Sequence, residues 1–136
     1  GNAADLDRKA LGRIVFSDAE ERRWLETLVH PVVRDRFQQE LVRHSQAPVV
    51  VLMIPLLFET GLEALCSEVW LVDCEPHQQL ERLMRRSGLN AADAQARLAA
   101  QWPLSRKRPL ADRVIDNRGS ADALADAVNR CDPPSL

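Results

Sequence analysis

Nine basic side chains crowd into residues 82–118: Arg82, Arg85, Arg86, Arg97, Arg106, Lys107, Arg108, Arg113 and Arg118. Only Asp93, Asp112 and Asp116 oppose them, so this segment carries +6 while the remainder of the 136-residue chain carries −8. Charge segregated in this way suits an anionic partner. Arg82, Arg85 and Arg86 are spaced i, i+3, i+4 and would stand on one face of a helix. Guanidinium groups present paired N–H donors that match phosphate oxygens, so the chemistry suggested is phosphate binding. A solvated charged face, with Glu81 supporting Arg85 one turn away, is the alternative. Nucleic acid fits poorly, because no aromatic residues interleave with the basic ones and Trp102 reads as a helix-end core residue.

Other reactive side chains are sparse. Asp73 and Asp116 each follow a short apolar run, where a carboxylate acts as general base or metal ligand, or else caps the next helix. His30 precedes Pro31 and reads more simply as a packing or capping residue. Cys66, Cys74 and Cys131 show no C-x-x-C spacing, the three histidines show no H-x₃-H spacing, and no metal site is expected. The free cysteines read as small core residues of a reducing compartment. Five glycines at 1, 12, 61, 88 and 119 exclude a G-x-x-x-x-G-K-[ST] phosphate loop.

Elements able to position these groups follow from periodicity. Residues 5–16 predict a short helix with Leu11, Ile14 and Val15 inward, and "SDAE" at 17–20 predicts a capping box led by Ser17. A helical stripe then runs from Leu25 to Leu41, and Pro31 predicts two helices meeting at His30. Val49–Ile54, Val69–Val72 and Arg113–Asp116 predict three strands, the first two buried on both faces. Helices are predicted from Pro76 to Ser87, stopped by Gly88, and from Asn90 to Trp102. A shorter one begins near Ser105, and a last one starts at Ser120 and ends at Pro133 and Pro134. Strands alternating with helices indicate an α/β fold with a parallel sheet, whose ligands bind at the carboxyl ends of the strands. Three strands are few for such a sheet. Hydrophobic residues make up 46% and charged residues 28%, as in a globular protein. With a polar, acidic start at Gly1–Asp7 and no apolar run near ~20 residues, the expectation is a cytoplasmic protein without membrane contact.

The pieces together resemble dephospho-coenzyme A kinase. The resemblance is carried by "LDRKALGRIVFSD" (6–18), "RRWLETLVHPVVR" (22–34), "VVVLMIPLLFETGLE" (49–63) and "EVWLVDCEPHQQLERLMRRSGL" (68–89). "ARLAAQWPLSRKR" (96–108) and "DRVIDNRGS" (112–120) complete the set in the family's order. It implies a P-loop NTPase-like parallel sheet, helices on both faces and a helical lid. The implied division is a helical acceptor-binding part at 1–48, core strands at 49–74, lid helices at 75–112, and a last strand and helix at 113–136. The implied reaction moves the γ-phosphoryl of ATP, with Mg2+, to the 3′-hydroxyl of dephospho-coenzyme A. His30, Arg34, Pro55, Leu56 and Glu59 would then lie by the acceptor. Arg82, Arg86 and Arg97 would stabilise phosphates from the lid, Gln101 and Lys107 would face phosphates, and Asn117 and Gly119 would border adenine.

The family's opening strand, "GxxGSGKS"-type loop, following helix and second strand with its base are absent from these residues. About 60–70 further residues are expected upstream for a fold of ordinary size. The chain alone is therefore expected to be inactive and poorly folded or self-associating. Ser87, where the family usually has an acid, and Pro109 in a short helix are smaller departures. Another P-loop nucleoside or nucleotide kinase, and a non-catalytic anion-binding remnant, are the alternative readings.

Overall fold

A computed structural model describes residues 5–131, so Gly1–Ala4 and the expected stop at Pro133 and Pro134 lie outside the described residues. The first helix, α1 (Arg8–Ser17), starts because the Asp7 carboxylate accepts from the free N–H groups of Lys9 and Ala10, each at 3.0 Å. Val15 is buried, Leu11 is half-buried and Ile14 is exposed, so the expected inward stripe is only partly covered.

Asp18 alone separates α1 from α2 (Ala19–Arg43) and caps it, accepting from Glu20 and Glu21 at 2.8 and 3.2 Å. The expected cap at Ser17 is corrected. Its hydroxyl donates back to the Arg13 and Ile14 carbonyls of α1, at 2.6 and 3.1 Å, and the carboxylate one residue later is the stronger acceptor. The expected break at His30 is also corrected, because α2 runs through Pro31 for 25 residues. Proline removes only its own donor, and the Thr27 carbonyl that loses it lies on an exposed turn open to water.

Two strands pair in parallel, β1 (Trp70–Asp73) and β2 (Arg113–Asp116), with Trp70 opposite Arg113 and Asp73 opposite Asp116. The third expected strand is a correction. Val49–Ile54 joins no ladder among the described residues, and Val51 and Met53 are 80% and 87% exposed. A strand exists through its partner's hydrogen bonds, and this apolar run has none. Burial of β1 on both faces is corrected too: Val72 is 50% exposed and the other β1 residues are only half-buried, and among the described residues β1 pairs with β2 alone.

Between the strands lie α3 (Pro76–Ser87), α4 (Ala91–Ala99) and α5 (Leu104–Lys107), followed by a 3₁₀ turn at Arg108–Leu110. Pro76 opens α3, Gly88 closes it at φ +62°, and the Asn90 side chain caps α4 by accepting from Asp93 at 2.8 Å. α4 stops at Ala99, three residues before the expected Trp102, and Pro109 falls in the 3₁₀ turn. Ser120 caps α6 (Ala121–Asn129) as expected, accepting from Ala123 at 3.1 Å. α1 packs on α2 and α4, and α6 packs on β2. The buried apolar set is small, with Val15, Leu62, Ala94 and Ile115. Among the described residues no helix is long and apolar enough to cross a membrane.

Candidate functional site

The parallel register sets Asp73 and Asp116 side by side at the carboxyl ends of β1 and β2. Adjacent like charges repel, and each carboxylate is answered by its own arginine. Asp73 Oδ2 accepts from Arg108 Nε at 2.7 Å. Asp116 accepts from Arg118 Nε and Nη2 at 2.9 and 3.0 Å and from the Arg118 backbone N–H at 2.9 Å. This two-toothed contact holds the Asp116 carboxyl down at about 2 and pushes the Arg118 guanidinium up. Arg108 is raised as well, first by its hydrogen bond to Asp73.

From β2 the chain leaves through Asn117, Arg118 and Gly119, and α3 grips that exit. Arg82 Nη1 donates to the Asn117 carbonyl at 2.7 Å, and Gln78 Nε2 donates to the Arg118 carbonyl at 2.9 Å. The Asn117 N–H continues the ladder onto Asp73 O at 2.8 Å. Arg82 and the Asn117–Gly119 bend, assigned from sequence to the lid and to the adenine border, thus form one junction. Gln78 was missed. Its signal is the Glu75-x-x-Gln78 spacing, which forms a capping box with Gln78 Oε1 accepting from the Glu75 N–H at 3.1 Å.

A second junction joins Glu59 to Lys107. Pro55–Thr60 coils into tight turns rather than continuing extended, with the Thr60 hydroxyl donating to Leu56 O at 2.7 Å. That places Glu59 Oε2 2.9 Å from Lys107 Nζ and 3.1 Å from the Trp102 N–H. Lys107 is 6% exposed. The second oxygens, Glu59 Oε1 and Asp73 Oδ1, are buried with no hydrogen-bond partner among the described residues.

The remaining expected residues are dispersed. Pro55 is exposed and Leu56 half-buried. Arg86 is exposed on α3 and Arg85 beside it has no ion-pair partner among the described residues; the Glu81–Arg85 support does not form. Arg97 lies over the Phe16 ring of α1 at 5.1 Å, and Arg106 covers Trp102 at 3.4 Å. Gln101 is half-buried and its backbone N–H donates to Leu98 O at 3.1 Å. His30 is half-buried and Arg34 exposed on α2, and no hydrogen bond among the described residues links either to the rim. Two open surface concavities also lie on α2, lined by Glu20, Glu21 and Trp24 and by Asp35, Gln38, Gln39 and Val42. Neither contains an expected site residue.

At the opposite end of the sheet, Glu68 Oε1 accepts from Trp70 Nε1 and Arg113 Nε, both at 2.6 Å. These bonds lower the Glu68 carboxyl and raise Arg113, and they pin the start of both strands. No group of His, Cys, Asp and Glu side chains among the described residues is arranged to hold a metal ion. At the rim the N–H donors of Arg108, Arg118 and Arg82 are engaged by Asp73, Asp116 and the Asn117 carbonyl, which leaves the exposed Arg85 and Arg86, without an ion-pair partner among the described residues, as the guanidinium groups suited to phosphate oxygens.

The family model described as dephospho-CoA kinase matches residues 2–123. A dephospho-CoA kinase from Parasynechococcus marenigrum (strain WH8102) is 67% identical over 131 residues, covering 96% of this chain and 66% of the relative. One from Prochlorococcus marinus (strain MIT 9313) is 57% identical over 128 residues, covering 94% and 63%. Among solved structures, TT1252 from Thermus thermophilus superposes with a TM-score of 0.72 at 44% identity, over 91% of this chain and 64% of that one. Dephospho-CoA kinase from Campylobacter jejuni gives 0.59 at 31% identity, over 95% and 65%. The chain thus spans slightly under two thirds of the length of these relatives. With the motifs in order, the arginine-rich rim at the strand ends and a family match over most of its length, the chain belongs to the dephospho-CoA kinase family.

Proposed function

We propose that these residues serve ATP-dependent phosphorylation of the 3′-hydroxyl of dephospho-coenzyme A, the last step of coenzyme A biosynthesis, in the cytoplasm. Family membership together with one observation carries the reading: α3 is locked by Arg82 onto the Asn117–Gly119 exit of β2 while Arg86 on the same helix remains exposed. A helix held at one end of the sheet and presenting guanidinium groups suits a phosphate-gathering lid. Phosphoryl transfer depends on positioning and charge neutralisation more than on covalent chemistry, so arginines are the residues it requires.

In this reading ATP would supply the γ-phosphoryl, and Mg2+, for which the described residues offer no ligand group, would neutralise charge on its phosphates. The chain's own part is the lid at 75–112 and the acceptor side at 1–48, with the segment 49–74, which carries β1, and the last strand and helix at 113–136 between them. Arg86 and Arg82 neutralise charge at the transferring group, and Asn117 and Gly119 border the adenine. Arg97, stacked on Phe16, holds α4 against α1, from where its guanidinium reaches phosphates only if that contact opens. His30, Arg34, Pro55 and Leu56 flank the pantetheine-bearing acceptor.

The test is coupled ATP turnover by the protein expressed from the complete reading frame containing these residues, with dephospho-coenzyme A, adenosine and AMP as acceptors. Turnover confined to dephospho-coenzyme A is expected. Equal turnover on AMP would move the protein to the nucleotide kinases.

A further inference from the structure

Lys107 and Arg108 are consecutive, yet their side chains reach two different carboxylates on two different elements. Lys107 Nζ meets Glu59 on the turn after residues 49–54, at 2.9 Å, and Arg108 Nε meets Asp73 at the end of β1, at 2.7 Å. Both carboxylates are largely buried, with side chains 12% and 16% exposed, and Lys107 is buried with them. A buried ammonium is tolerated only where an opposite charge is fixed beside it, and breaking such a pair strands the partner's charge. Glu59 Oε2 also takes the Trp102 N–H at 3.1 Å, so one carboxylate holds both the entry and the end of α5. We infer that Glu59 is a positioning residue: with Asp73 it clamps the α5 turn through Lys107 and Arg108 and so sets where the returning lid meets the acceptor turn.

In this assignment, which rests on the kinase reading above, Glu59 and Lys107 act on each other rather than on the two ligands. A buried ion pair specifies one geometry, whereas an apolar pair of similar volume restores stability without fixing direction. The experiment therefore compares wild type, Glu59→Gln, Lys107→Arg and the double variant Glu59→Leu/Lys107→Met in the protein from the complete reading frame. It reads thermal stability, hydrogen exchange at the Trp102 N–H, and kcat and KM for both substrates.

Glu59→Gln is expected to speed exchange at Trp102 and to lower kcat by roughly tenfold or more, with KM for dephospho-coenzyme A changed less. Lys107→Arg, which keeps the charge, is expected to retain most activity. The double variant is expected to regain the melting temperature but not kcat. Recovery of both by the double variant would make the pair merely structural and overturn the inference. A rise in KM for dephospho-coenzyme A with kcat unchanged in Glu59→Gln would overturn it too, because Glu59 would then touch the acceptor. Unchanged exchange at Trp102 sinks the clamp whatever the activity. Absence of dephospho-coenzyme A turnover in wild type sinks the kinase reading and leaves the exchange result standing.

Discussion

Asp116 and Arg118 form an exposed two-toothed contact at the rim, and its consequence is a pH dependence whose sign is fixed. The folded-state carboxyl sits at about 2, below its ordinary 3.8, because Arg118 binds both its oxygens. A depressed carboxyl contributes stability that is fully present above the unfolded value and is lost as pH falls from about 4 toward 2. Asp116→Asn is expected to lower the melting temperature near neutral pH. That deficit should shrink through the acid window and vanish below about pH 2. A deficit constant from neutral to acid pH would mean that packing, not charge, is what the substitution removes.

Arg82 and Arg86 lie four residues apart on one helix, the first tied to the Asn117 carbonyl and the second exposed, so substituting each tests whether the proposed phosphate contact can be told apart from anchoring. Arg82 is half-buried and satisfies the Asn117 carbonyl, so Arg82→Ala should cost about 2 kcal/mol, the scale of a hydrogen bond from a charged donor, as well as turnover. Arg86 is exposed and makes no ion pair among the described residues. Arg86→Ala is expected to keep stability within about 0.5 kcal/mol. Its ATP turnover on dephospho-coenzyme A should fall by at least roughly tenfold. Urea denaturation and steady-state kinetics on the same two variants of the protein from the complete reading frame check both halves. Equal loss of activity without loss of stability in both would remove the anchoring role from Arg82.

At the scale of elements, helix ends were the most legible feature, because caps are local. Ser120, Asn90, Pro76 and Gly88 mark boundaries that lie within a residue or two of the observed ones. Gly88 supports a quantitative statement. Its φ is +62° and a Cβ there would meet nothing within 4 Å, so Gly88→Ala pays only for the left-handed backbone. That penalty is about 1 kcal/mol, measurable by chemical denaturation, and Gly88→Asn should lose less because asparagine adopts this conformation more readily. Equal loss by both would point to a steric cause.

What was not legible is non-local. The apolar run at 49–54 has the composition of a central strand, but composition does not supply the neighbour that makes a strand. Likewise Arg82 finds Asn117 across 35 positions and Trp102 finds Glu59 across 43, distances at which spacing carries no information. Charge segregation located the arginines that gather at the strand ends and on α3. It did not reveal that Lys107 and Arg108 are spent on Glu59 and Asp73, whereas Arg86 faces solvent.

Across the whole molecule the balance between burial and exposed apolar surface decides behaviour in solution. Among the described residues the buried apolar set is four side chains, while Trp24, Leu28, Val32, Val51 and Met53 all stand exposed on α2 and the 49–54 run. Apolar surface of this kind is covered when a partner is available. The 49–54 run adds unpaired backbone N–H and C=O groups, which is the template for pairing between copies. The 136-residue chain is therefore expected to self-associate, with sedimentation velocity showing a weight-average mass that climbs with concentration. Val51→Lys/Met53→Lys places charges on the two most exposed positions of the run, a device that blunts strand edges, and should return the chain toward the monomer. Neither residue contributes to the small buried set, so the double variant should keep its helix content by circular dichroism. If wild type stays monomeric across the range, water alone covers this surface and the association argument is wrong. If the lysine pair leaves association unchanged, the contact lies on the exposed face of α2, and Trp24→Glu becomes the variant that dissolves it.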